Sequence, residues 1–387
     1  MSRRALVFGA GRVACGALGK VLVTSGFDTT FVARRAGVIG AIARAHGYTL
    51  EVAGQRTIFI PAAGALDVSR PGPVIDAIAE SDVVFTALGV DGLRAVAPLL
   101  ARGLWLRSTR RKAAPLPIIA CENLPGAGAY LSQVVLDATS PVAEVAVQEA
   151  GRFSSALTHC IISEVREERG LLVVVADQAA DLVIDEVPLA GVAVSISGSS
   201  YTDRFAAAVM RKLFVLNCAH AAAAYHGHQA GCTYLHEAMA LPDIAGRVRA
   251  VLSESAAALT AEFPADAAVI ASDAAAAFRR ISNAELRDPV RRVAKDPRRK
   301  LVACERLLGP ARLAQRHGLA HHALVDAAVA ALLYDEPSDP QARSMRGDIE
   351  AWGLDHFLAM DCGLLPQEAL ARAIARAWEA VLLRGVA

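Results

Sequence analysis

The segment ALVFGAGRVACG, residues 5–16, decides the fold of the amino-terminal half of the chain. An apolar strand, Ala5–Phe8, runs directly into two closely spaced glycines, and a helical pattern continues to about Ser25. Glycines in such a loop let the backbone turn tightly and approach a pyrophosphate, which the amide groups at the start of the helix would bind. Ala14 stands where the third glycine of the GxGxxG pattern is usual, a variation that the pattern allows. Because a strand precedes the loop and a helix follows it, the motif predicts a dinucleotide site. The loop residues expected to bind the cofactor are Gly9, Ala10, Gly11, Arg12 and Val13.

The second predicted strand, Thr29–Ala33, ends without an acidic residue. NAD-binding folds normally place a carboxylate at this position, against the ribose 2′-hydroxyl. Here Ala33 is followed by Arg34 and Arg35, whose guanidinium groups can bind a 2′-phosphate bidentately. The pattern predicts that NADP(H) is preferred over NAD(H). The alternative is that the two arginines merely begin an exposed helix over residues 34–46.

Strand and helix patterns alternate through the rest of this half. Strands are predicted at residues 47–52, 57–60, 82–87 and 117–121, and helices at residues 73–80, 91–101 and after residue 125. Such alternation predicts a parallel, doubly wound sheet that binds its ligand at the carboxyl ends of the strands. Leu88, Gly89 and Asn123 follow predicted strands, so we expect them to line the cofactor site. The charged segment Arg107–Lys112 is predicted to be a solvated loop.

The pattern changes twice in the remainder of the chain. Residues 142–148, 155–162, 171–176, 182–184 and 192–196 read as strands with little helix between them, which predicts an antiparallel extension of the first domain. Residues 197–200, SGSS, resemble a linker, and alanine-rich helical periodicity interrupted by prolines follows from Asp203. The predicted fold class is therefore α/β, with an N-terminal Rossmann-like doubly wound sheet and its extension over residues 1–198. A C-terminal all-α domain is predicted over residues 199–387.

Composition narrows the classes of function. The 40 basic and 39 acidic residues leave a net charge of +1, which gives no overall attraction to nucleic acid or to a membrane. Seven cysteines are scattered without a CxxC pair, a usage typical of a reducing compartment. The chain opens almost directly on a strand, which leaves no room for a signal peptide, and it has no run of about 18 uninterrupted apolar residues. We therefore expect a soluble cytoplasmic protein that acts on a small molecule, with no nucleic-acid or membrane partner.

Residues 212–228, KLFVLNCAHAAAAYHGH, form an uninterrupted apolar helical pattern that carries three polar groups near its start. At roughly 100° per residue, Asn217 lies about 140° round the helix from Lys212, and His220 falls between them. A helix of this composition is expected to be buried, so its polar groups need partners or a task. Burial lowers the pKa of a lysine towards neutrality, where the amine can act as a general base. The alternative is that the lysine reaches solvent along its stem and the histidine is a satisfied core residue.

The most charged part of the second half is Arg279–Lys300, which predicts either a solvated face or an anion-binding site. A rival to the lysine hypothesis is a zinc enzyme, but the cysteine and histidine spacings match no standard tetrahedral set, so no metal is predicted. A second rival is a non-catalytic protein that senses nucleotide redox state. The candidate zinc ligands are Cys218, His220, His226, His228, Cys232 and His236.

Several motifs in order resemble the polyol-specific long-chain dehydrogenases, particularly the mannitol-1-phosphate 5-dehydrogenases. The glycine loop GAGRVACGALGK begins at Gly9, and CENLPG begins at Cys121. The family's pattern of lysine, four residues, asparagine, two residues and histidine is matched by Lys212, Asn217 and His220. RISNAELRDPVRRVAKDPRRKL at 280–301 is similar to the family's long arginine and asparagine motif, and its RKL ending favours the sugar-phosphate branch. HGLAHHALVDAAVAAL at 317–332 resembles the family's carboxyl-terminal part.

The resemblance implies a metal-independent hydride transfer between a nicotinamide and a secondary alcohol or ketone on an open-chain polyol or sugar phosphate, such as mannitol 1-phosphate and fructose 6-phosphate. Lys212 would be the general acid and base, Asn217 with Asn123 would hydrogen-bond the reacting oxygen, and His220 would orient the substrate. The chain reads RRIS at 279–282 where the family favours an arginine–phenylalanine pair. The alternative is therefore an NADPH-dependent reductase of another keto-sugar, a cyclitol or a nucleoside-like unit, and we expect a monomer or a homodimer. The residues expected to bind substrate hydroxyls or phosphate are Asn123, Arg280, Asn283, Arg292, Arg299 and Lys300.

Overall fold

The computed structural model describes residues 3–110, 114–177 and 181–385. The chain divides into two compact units, one that ends at Ala208 and one that begins at Val209. Strands are confined, within the described residues, to the first unit, and the second is built from helices. The predicted fold class, an α/β dinucleotide fold followed by an all-α domain, is confirmed.

The main sheet of the first unit has the strand order β12-β11-β8-β7-β6-β1-β2-β5. Its strands are β1 Arg3–Phe8, β2 Phe27–Ala33, β5 Gly64–Asp67, β6 Val83–Thr86, β7 Leu116–Ala120, β8 Gly151–Thr158, β11 Leu182–Asp185 and β12 Ser199–Thr202. From β5 to β8 every neighbouring pair is parallel. Counted along the chain, these six strands stand in the order 3-2-1-4-5-6 of a doubly wound dinucleotide fold. The order reverses between β1 and β6, so a ligand crevice is expected where these two strands end.

The central strands are apolar because both of their faces are covered. Val7 of β1 packs in a core with Phe31 and Ile42, whereas Leu6 and Phe8 pack on the opposite face. A strand buried on both faces reads as a continuous apolar run rather than an alternating one, which is the reason that ALVF carried no polar residue. Because β1 is buried on both faces, the position of the glycine loop at its end is fixed relative to the sheet.

The helices of the first unit cover these faces. They are α1 Gly19–Thr24, α2 Ala36–Ala45, α3 Pro71–Glu80, α4 Val90–Thr109, α5 Ala127–Asp137 and α6 Glu144–Ala150, with a π-helical turn Ala14–Leu18 before α1 and a short 3₁₀ turn Val187–Leu189. A smaller sheet in the order β4-β3-β10-β9 completes the unit. Its strands are β3 Gly47–Val52, β4 Thr57–Pro61, β9 Ile162–Glu168 and β10 Leu171–Ala176.

Parts of the predicted extension are wrong. Residues 142–148 were expected to be a strand, but α6 occupies Glu144–Ala150, and only Val147 of its valines is buried whereas Val142 and Val145 are exposed. The spaced valines satisfied a strand pattern, while the helix-forming alanine and glutamate residues between them decided the outcome. Residues 192–196 form no strand. The expected linker contains β12 instead, since Ser199 pairs with Leu182 of the main sheet.

The segment around Arg107 is the second correction. We expected a solvated loop, but α4 continues to Thr109 and the Arg107 side chain is buried. Its guanidinium donates to the carbonyl oxygens of Ala79 at 3.1 Å, Ser81 at 2.7 Å and Ala114 at 3.1 Å. A cation that satisfies three carbonyls beneath a helix is structural, and nothing in its local sequence distinguished it from a surface arginine. The end of the predicted loop, residues 111–112, lies outside the described residues.

The second unit packs its helices around the apolar faces of two of them, α8 and α10. Its helices are α7 Phe205–Arg211, whose first residues belong to the other unit, then α8 Cys218–Gln229, α9 Leu235–Ala240, α10 Pro242–Glu262, α11 Ala267–Ile281, α12 Val290–Ala294, α13 Pro297–Lys300, α14 Leu308–Arg316, α15 His322–Leu332, α16 Pro340–Trp352, α17 Leu354–Met360 and α18 Ala369–Gly385. Short 3₁₀ turns occupy Pro264–Asp266 and Ala284–Leu286, and a π-helix occupies Lys212–Asn217. The continuous run Phe205–Gln229 has the length and hydropathy of a membrane span, but half of it is buried, as in a core helix.

Candidate active site

Gly9 lies where β1 ends, at the point where the strand order reverses. Its φ is +114°, and its amide donates to the carbonyl of Val32 at 2.8 Å. A Cβ at this position would stand 2.6 Å from the carbonyl oxygen of Ala87, which follows β6. Both the dihedral angle and the contact therefore require glycine. A Cβ at Gly11 would instead meet no atom within 4 Å, so the loop offers open space there.

A cavity of about 850 Å³ opens beside this loop. It is bounded by the ends of β1, β2 and β6, the start of α4 and the segment that follows β5. Its size and position, the glycine loop and the two basic residues at its wall fit a nicotinamide dinucleotide. Of the ten residues predicted to bind the cofactor, the cavity wall includes Gly9, Ala10, Gly11, Arg34, Arg35 and Leu88. Arg12, Val13 and Gly89 are close in sequence to these residues and Asn123 follows β7, but none of the four is part of that wall.

The two arginines precede α2 rather than belonging to it. Arg34 and Arg35 are exposed, and Arg35 has an extended backbone at the N-cap of Ala36–Ala45. Their side chains line the cavity at the end of β2, where Ala33 pairs in register with Asp67 of β5. The Asp67 carboxylate accepts hydrogen bonds from the amide of Ser69 at 2.9 Å and from its hydroxyl at 2.8 Å, and these bonds lower the pKa of Asp67. This acid carries no signal in the sequence around Ala33, because it comes from the neighbouring strand.

Glu122 of the CENLPG motif ties two strand ends together. Its Oε1 accepts from the amide of Leu88 and its Oε2 accepts from the amide of Gly89, each at 2.7 Å. Gly89 has a φ of +80° at the N-cap of α4, so the carboxylate also lies at the positive end of that helix. Both amides are thereby occupied, and Leu88 contributes to the cavity through its side chain. Sequence analysis selected Asn123 from this motif and missed its neighbour, whose signal was an acid directly after an apolar strand.

In the second unit, Lys212 and Asn217 begin and end a π-helix, not the α-helix that the pattern predicted. In a π-helix the backbone bonds join residues five apart, so two side chains five apart face more nearly the same way than on an α-helix. Lys212 and Asn217 are both half-buried, and Phe214, Val215 and Leu216 between them are buried. The amine and the carboxamide thus share one side of a widened turn. Turns of this type occur frequently at functional sites.

His220 lies on the first turn of α8 and is held by a carboxylate. Its Nε2 is 2.8 Å from Oδ2 of Asp288, whose side chain is 3% exposed. Arg292 donates to both oxygens of the same carboxylate, from Nε to Oδ1 and from Nη2 to Oδ2, each at 2.6 Å. Burial opposes the charge on Asp288, but the hydrogen bonds from His220 and Arg292 outweigh it and lower the pKa of Asp288 to about 2. Burial lowers the pKa of His220, and Asp288 opposes that shift.

The other cations predicted to bind substrate have partners inside the unit. Arg299 pairs with Asp296 at 2.8 Å and with Glu305 at 3.6 Å. The amine of Lys300 is buried, donates to the carbonyl oxygens of Ala294 at 3.2 Å and of Lys295, and lies 5.8 Å from the ring centre of Tyr225. Of these two cations, Lys300 connects α13 to the end of α12, and Arg299 forms ion pairs with residues on either side of α13.

The two remaining polar candidates from this segment differ in role. Asn283 accepts a hydrogen bond from the amide of Glu285 at 3.0 Å and so caps a short 3₁₀ turn. Arg280 is half-buried in the last turn of α11. Asp288, which lies between Asn283 and Arg292 in the same segment, was missed because a single acid among many bases carries no sequence signal of its own.

The zinc alternative finds no support in the side-chain arrangement. Within the described residues, no group of three or more histidine, cysteine, aspartate or glutamate side chains is placed to hold a metal ion. His228 lies 3.0 Å from Asp335, and His220 is bound to Asp288. These two histidines of α8 thus have separate carboxylate partners.

Comparison with known proteins covers both units. The model of the mannitol dehydrogenase Rossmann domain matches residues 3–198, and that of the mannitol dehydrogenase C-terminal domain matches residues 206–381. Among solved structures, the chain is similar to the mannitol 2-dehydrogenase of Pseudomonas fluorescens in its ternary complex with NAD and D-mannitol. The identity is 16%, the TM-score is 0.78, and the match covers 100% of this chain and 93% of the other. It is also similar to a D-sorbitol dehydrogenase in substrate-free form, with 15% identity, a TM-score of 0.74, and coverage of 99% and 93%.

The two domain models together match nearly the whole chain. At these identities the two solved structures support the fold alone. The chain therefore belongs to the mannitol dehydrogenase family, and it is a nicotinamide-dependent oxidoreductase that acts on CH–OH groups of polyols.

Proposed function

We propose that the protein is a metal-independent dehydrogenase/reductase that interconverts a secondary alcohol and a ketone on a polyol or sugar phosphate, with Lys212 as general acid and base. The observation that carries the proposal is the widened turn that holds Lys212 and Asn217, followed directly by the supported His220. A nicotinamide, when bound, would provide the acceptor or donor of the hydride. Asn123, Arg280 and Asn283 remain proposed contacts for the substrate.

In the oxidation direction, the neutral amine of Lys212 takes the proton of the substrate hydroxyl. In the reduction direction, its ammonium donates that proton to the developing alkoxide. The carboxamide NH₂ group of Asn217 donates a hydrogen bond to the same oxygen, which carries more negative charge in the transition state than in the bound alcohol or ketone. His220 orients the substrate through its ring. These roles follow from the chemistry of the three side chains and from their order along the π-helix and the first turn of α8.

We propose NADP(H) as the preferred cofactor on account of Arg34 and Arg35. Both side chains line the cavity at the end of β2, where Ala33 supplies no carboxylate. Asp67 of the adjacent strand pairs in register with Ala33, so the segment carries one negative charge against the two positive charges of Arg34 and Arg35. Two bidentate donors in fixed geometry suit a phosphate better than a hydroxyl.

The experiment is a screen of NADPH and NADH oxidation with matched pairs of free and phosphorylated ketoses, fructose and fructose 6-phosphate first. Turnover of a ketose with either nucleotide supports the proposal. The ratio of kcat/KM for the free ketose to that for its phosphate shows whether the enzyme prefers free polyols or sugar phosphates. We expect Lys212→Ala to lower kcat by at least about 10³-fold while the Kd for the dinucleotide stays unchanged. The matched control is Lys295→Ala, an exposed lysine of the same unit, with unchanged turnover. Unchanged turnover in Lys212→Ala would exclude the catalytic assignment.

A further inference from the structure

The carboxylate of Asp288 is fixed from several sides. Arg292, four residues later, donates to both of its oxygens, and the backbone carbonyl of Asp288 accepts from the amide of Leu235 at 2.9 Å. Pro289 follows as the N-cap of α12, and the amide of Val290 donates to the carbonyl of Thr233 at 2.9 Å. The residue therefore has little freedom to turn, and its Oδ2 is directed at His220.

The charge state of Asp288 decides which ring nitrogen of His220 carries a proton. An ionised carboxylate only accepts hydrogen bonds, so the Nε2 atom that meets it must donate. Arg292, which is always charged, keeps the carboxylate ionised. The imidazole is then either neutral with its proton on Nε2 or doubly protonated.

The surroundings of His220 favour the neutral form. The charged groups that act on it are Asp288, Arg292 and Arg306, of which the two guanidinium groups and burial oppose an imidazolium. A neutral ring with its proton on Nε2 has a lone pair on Nδ1. The His220 side chain is 12% exposed, so the surrounding core does not enclose it completely.

We propose that Asp288 is a positioning residue that holds His220 as the Nε2–H tautomer, so that Nδ1 accepts a hydrogen bond from a substrate hydroxyl. The inference rests on the proposed function, because it takes His220 as a substrate contact. It adds a division of roles: Lys212 and Asn217 donate to the reacting oxygen, whereas His220 accepts from a neighbouring hydroxyl. A substrate without a hydroxyl beside the reacting carbon then leaves the histidine lone pair unmatched, which selects polyols over simple ketones.

The first test is ¹⁵N NMR of the histidine rings in the full-length protein. We expect His220 to show the Nε2–H tautomer at neutral pH. In Asp288→Asn, only one atom of the carboxamide can accept from Arg292 and His220, so Nε2 is no longer forced to donate and we expect the share of the Nε2–H tautomer to fall. The observation of Nδ1–H in the wild type, or of no change in the variant, would overturn the inference. This readout needs no turnover, so it stands apart from failure of the proposed activity.

The second test compares a ketose with its analogue that lacks the hydroxyl next to the carbonyl. We expect Asp288→Asn to lower kcat/KM for the ketose by about 100-fold, with an unchanged Kd for the dinucleotide, and to lose most of the wild-type preference over the analogue. The matched control is Asp335→Asn, which removes the carboxylate beside His228. His228 lies on the same helix as His220, and we expect this variant to leave kcat/KM unchanged. If Asp288→Asn fails to fold, two measurements on the wild type test the inference. These are the tautomer of His220 and the preference of the enzyme for the ketose over the analogue that lacks the hydroxyl. Preference retained in a folded Asp288→Asn would argue that the pair is only structural.

Discussion

The hydroxyl of Ser255 donates to the backbone carbonyl of Phe214 at 2.5 Å, in the middle of the π-helix that begins at Lys212. The Ser255 side chain is completely buried on α10. A Cβ at Gly309 would stand 2.5 Å from the Phe214 ring, so the absence of a side chain there makes room for that ring. The hydrogen-bonding geometry of a π-helical turn is less favourable than that of an α-helix. Such a turn persists where other groups form hydrogen bonds with its backbone. Ser255 and Gly309 thus stabilise the turn that presents the proposed catalytic amine.

Replacement of Ser255 tests this relationship. We expect Ser255→Ala to lower the free energy of unfolding by about 1–3 kcal/mol, because the buried Phe214 carbonyl loses its donor. We also expect kcat/KM to fall by at least about 10-fold, since the turn shifts Lys212 relative to Asn217. Ser253→Ala, an exposed serine on the same helix, is the control and should change neither quantity. Urea unfolding and steady-state kinetics give both numbers, and a destabilised variant with full activity would show that the π-turn is not needed for catalysis.

The glycine loop allows a paired test within three residues. We expect Gly9→Ala to destabilise the protein by about 1–3 kcal/mol, because the new methyl group meets the Ala87 carbonyl and φ is +114°. Gly11→Ala should leave the melting temperature unchanged, since its Cβ meets no protein atom, and should weaken dinucleotide binding by filling the space offered to the pyrophosphate. Thermal unfolding and nucleotide titration separate the two effects. Equal affinity for the dinucleotide in Gly11→Ala and the wild type would contradict this location of the cofactor.

Cofactor preference depends on Arg34 and Arg35. We expect their joint replacement by alanine to lower kcat/KM for NADPH by about 10²-fold or more, because two charge-assisted contacts with the 2′-phosphate are lost, and to change that for NADH by less than about 3-fold. Arg44→Ala, an exposed arginine of α2 whose nearest acid is Glu167 at 3.9 Å, is the control. Steady-state kinetics with both nucleotides measure the ratio of kcat/KM for NADPH to kcat/KM for NADH. A wild type that uses NADH better than NADPH would overturn the proposed preference.

Lys300 predicts a pH dependence of stability. Burial and the charges of Arg306 and Arg299 lower the pKa of its amine to about 7, whereas an exposed lysine has 10.5. Between these values the unfolded chain binds more protons than the folded one, so the free energy of unfolding should rise with pH, on the order of 2 kcal/mol between about pH 7 and about pH 9. Below pH 7 this contribution is constant, since both states are protonated.

Urea unfolding across this range measures the effect. Lys300→Met removes the titrating group, so the rise should be absent from the variant, while Lys295→Met at an exposed position should retain it. Identical slopes in the wild type and Lys300→Met would mean that the carbonyl oxygens of Ala294 and Lys295 keep the amine charged.

The local sequence pattern was sufficient to predict the parts of the fold that depend on hydrophobic periodicity and on glycine turns. The strand Leu171–Ala176 and the strand Gly47–Val52 have the predicted bounds, because alternating or continuous apolar runs bounded by turn residues leave few alternatives. The helix Glu144–Ala150 was missed because its spaced valines fit a strand pattern, although the alanine and glutamate residues between them favour a helix. Arg107 was misplaced for a different reason, since its carbonyl partners come from two other parts of the chain, residues 79–81 and Ala114.

What the sequence by itself determined is the order of the βα units, the glycine loop at the end of β1 and the spacing of Lys212, Asn217 and His220. These are properties of neighbouring residues, and backbone geometry enforces them locally. Only the tertiary structure decided that Lys212–Asn217 is a π-turn held by Ser255, and that His220 meets Asp288, 68 residues later in the chain. A hydrogen bond between distant segments depends on how helices pack, and no local period or propensity encodes which acid will meet which base.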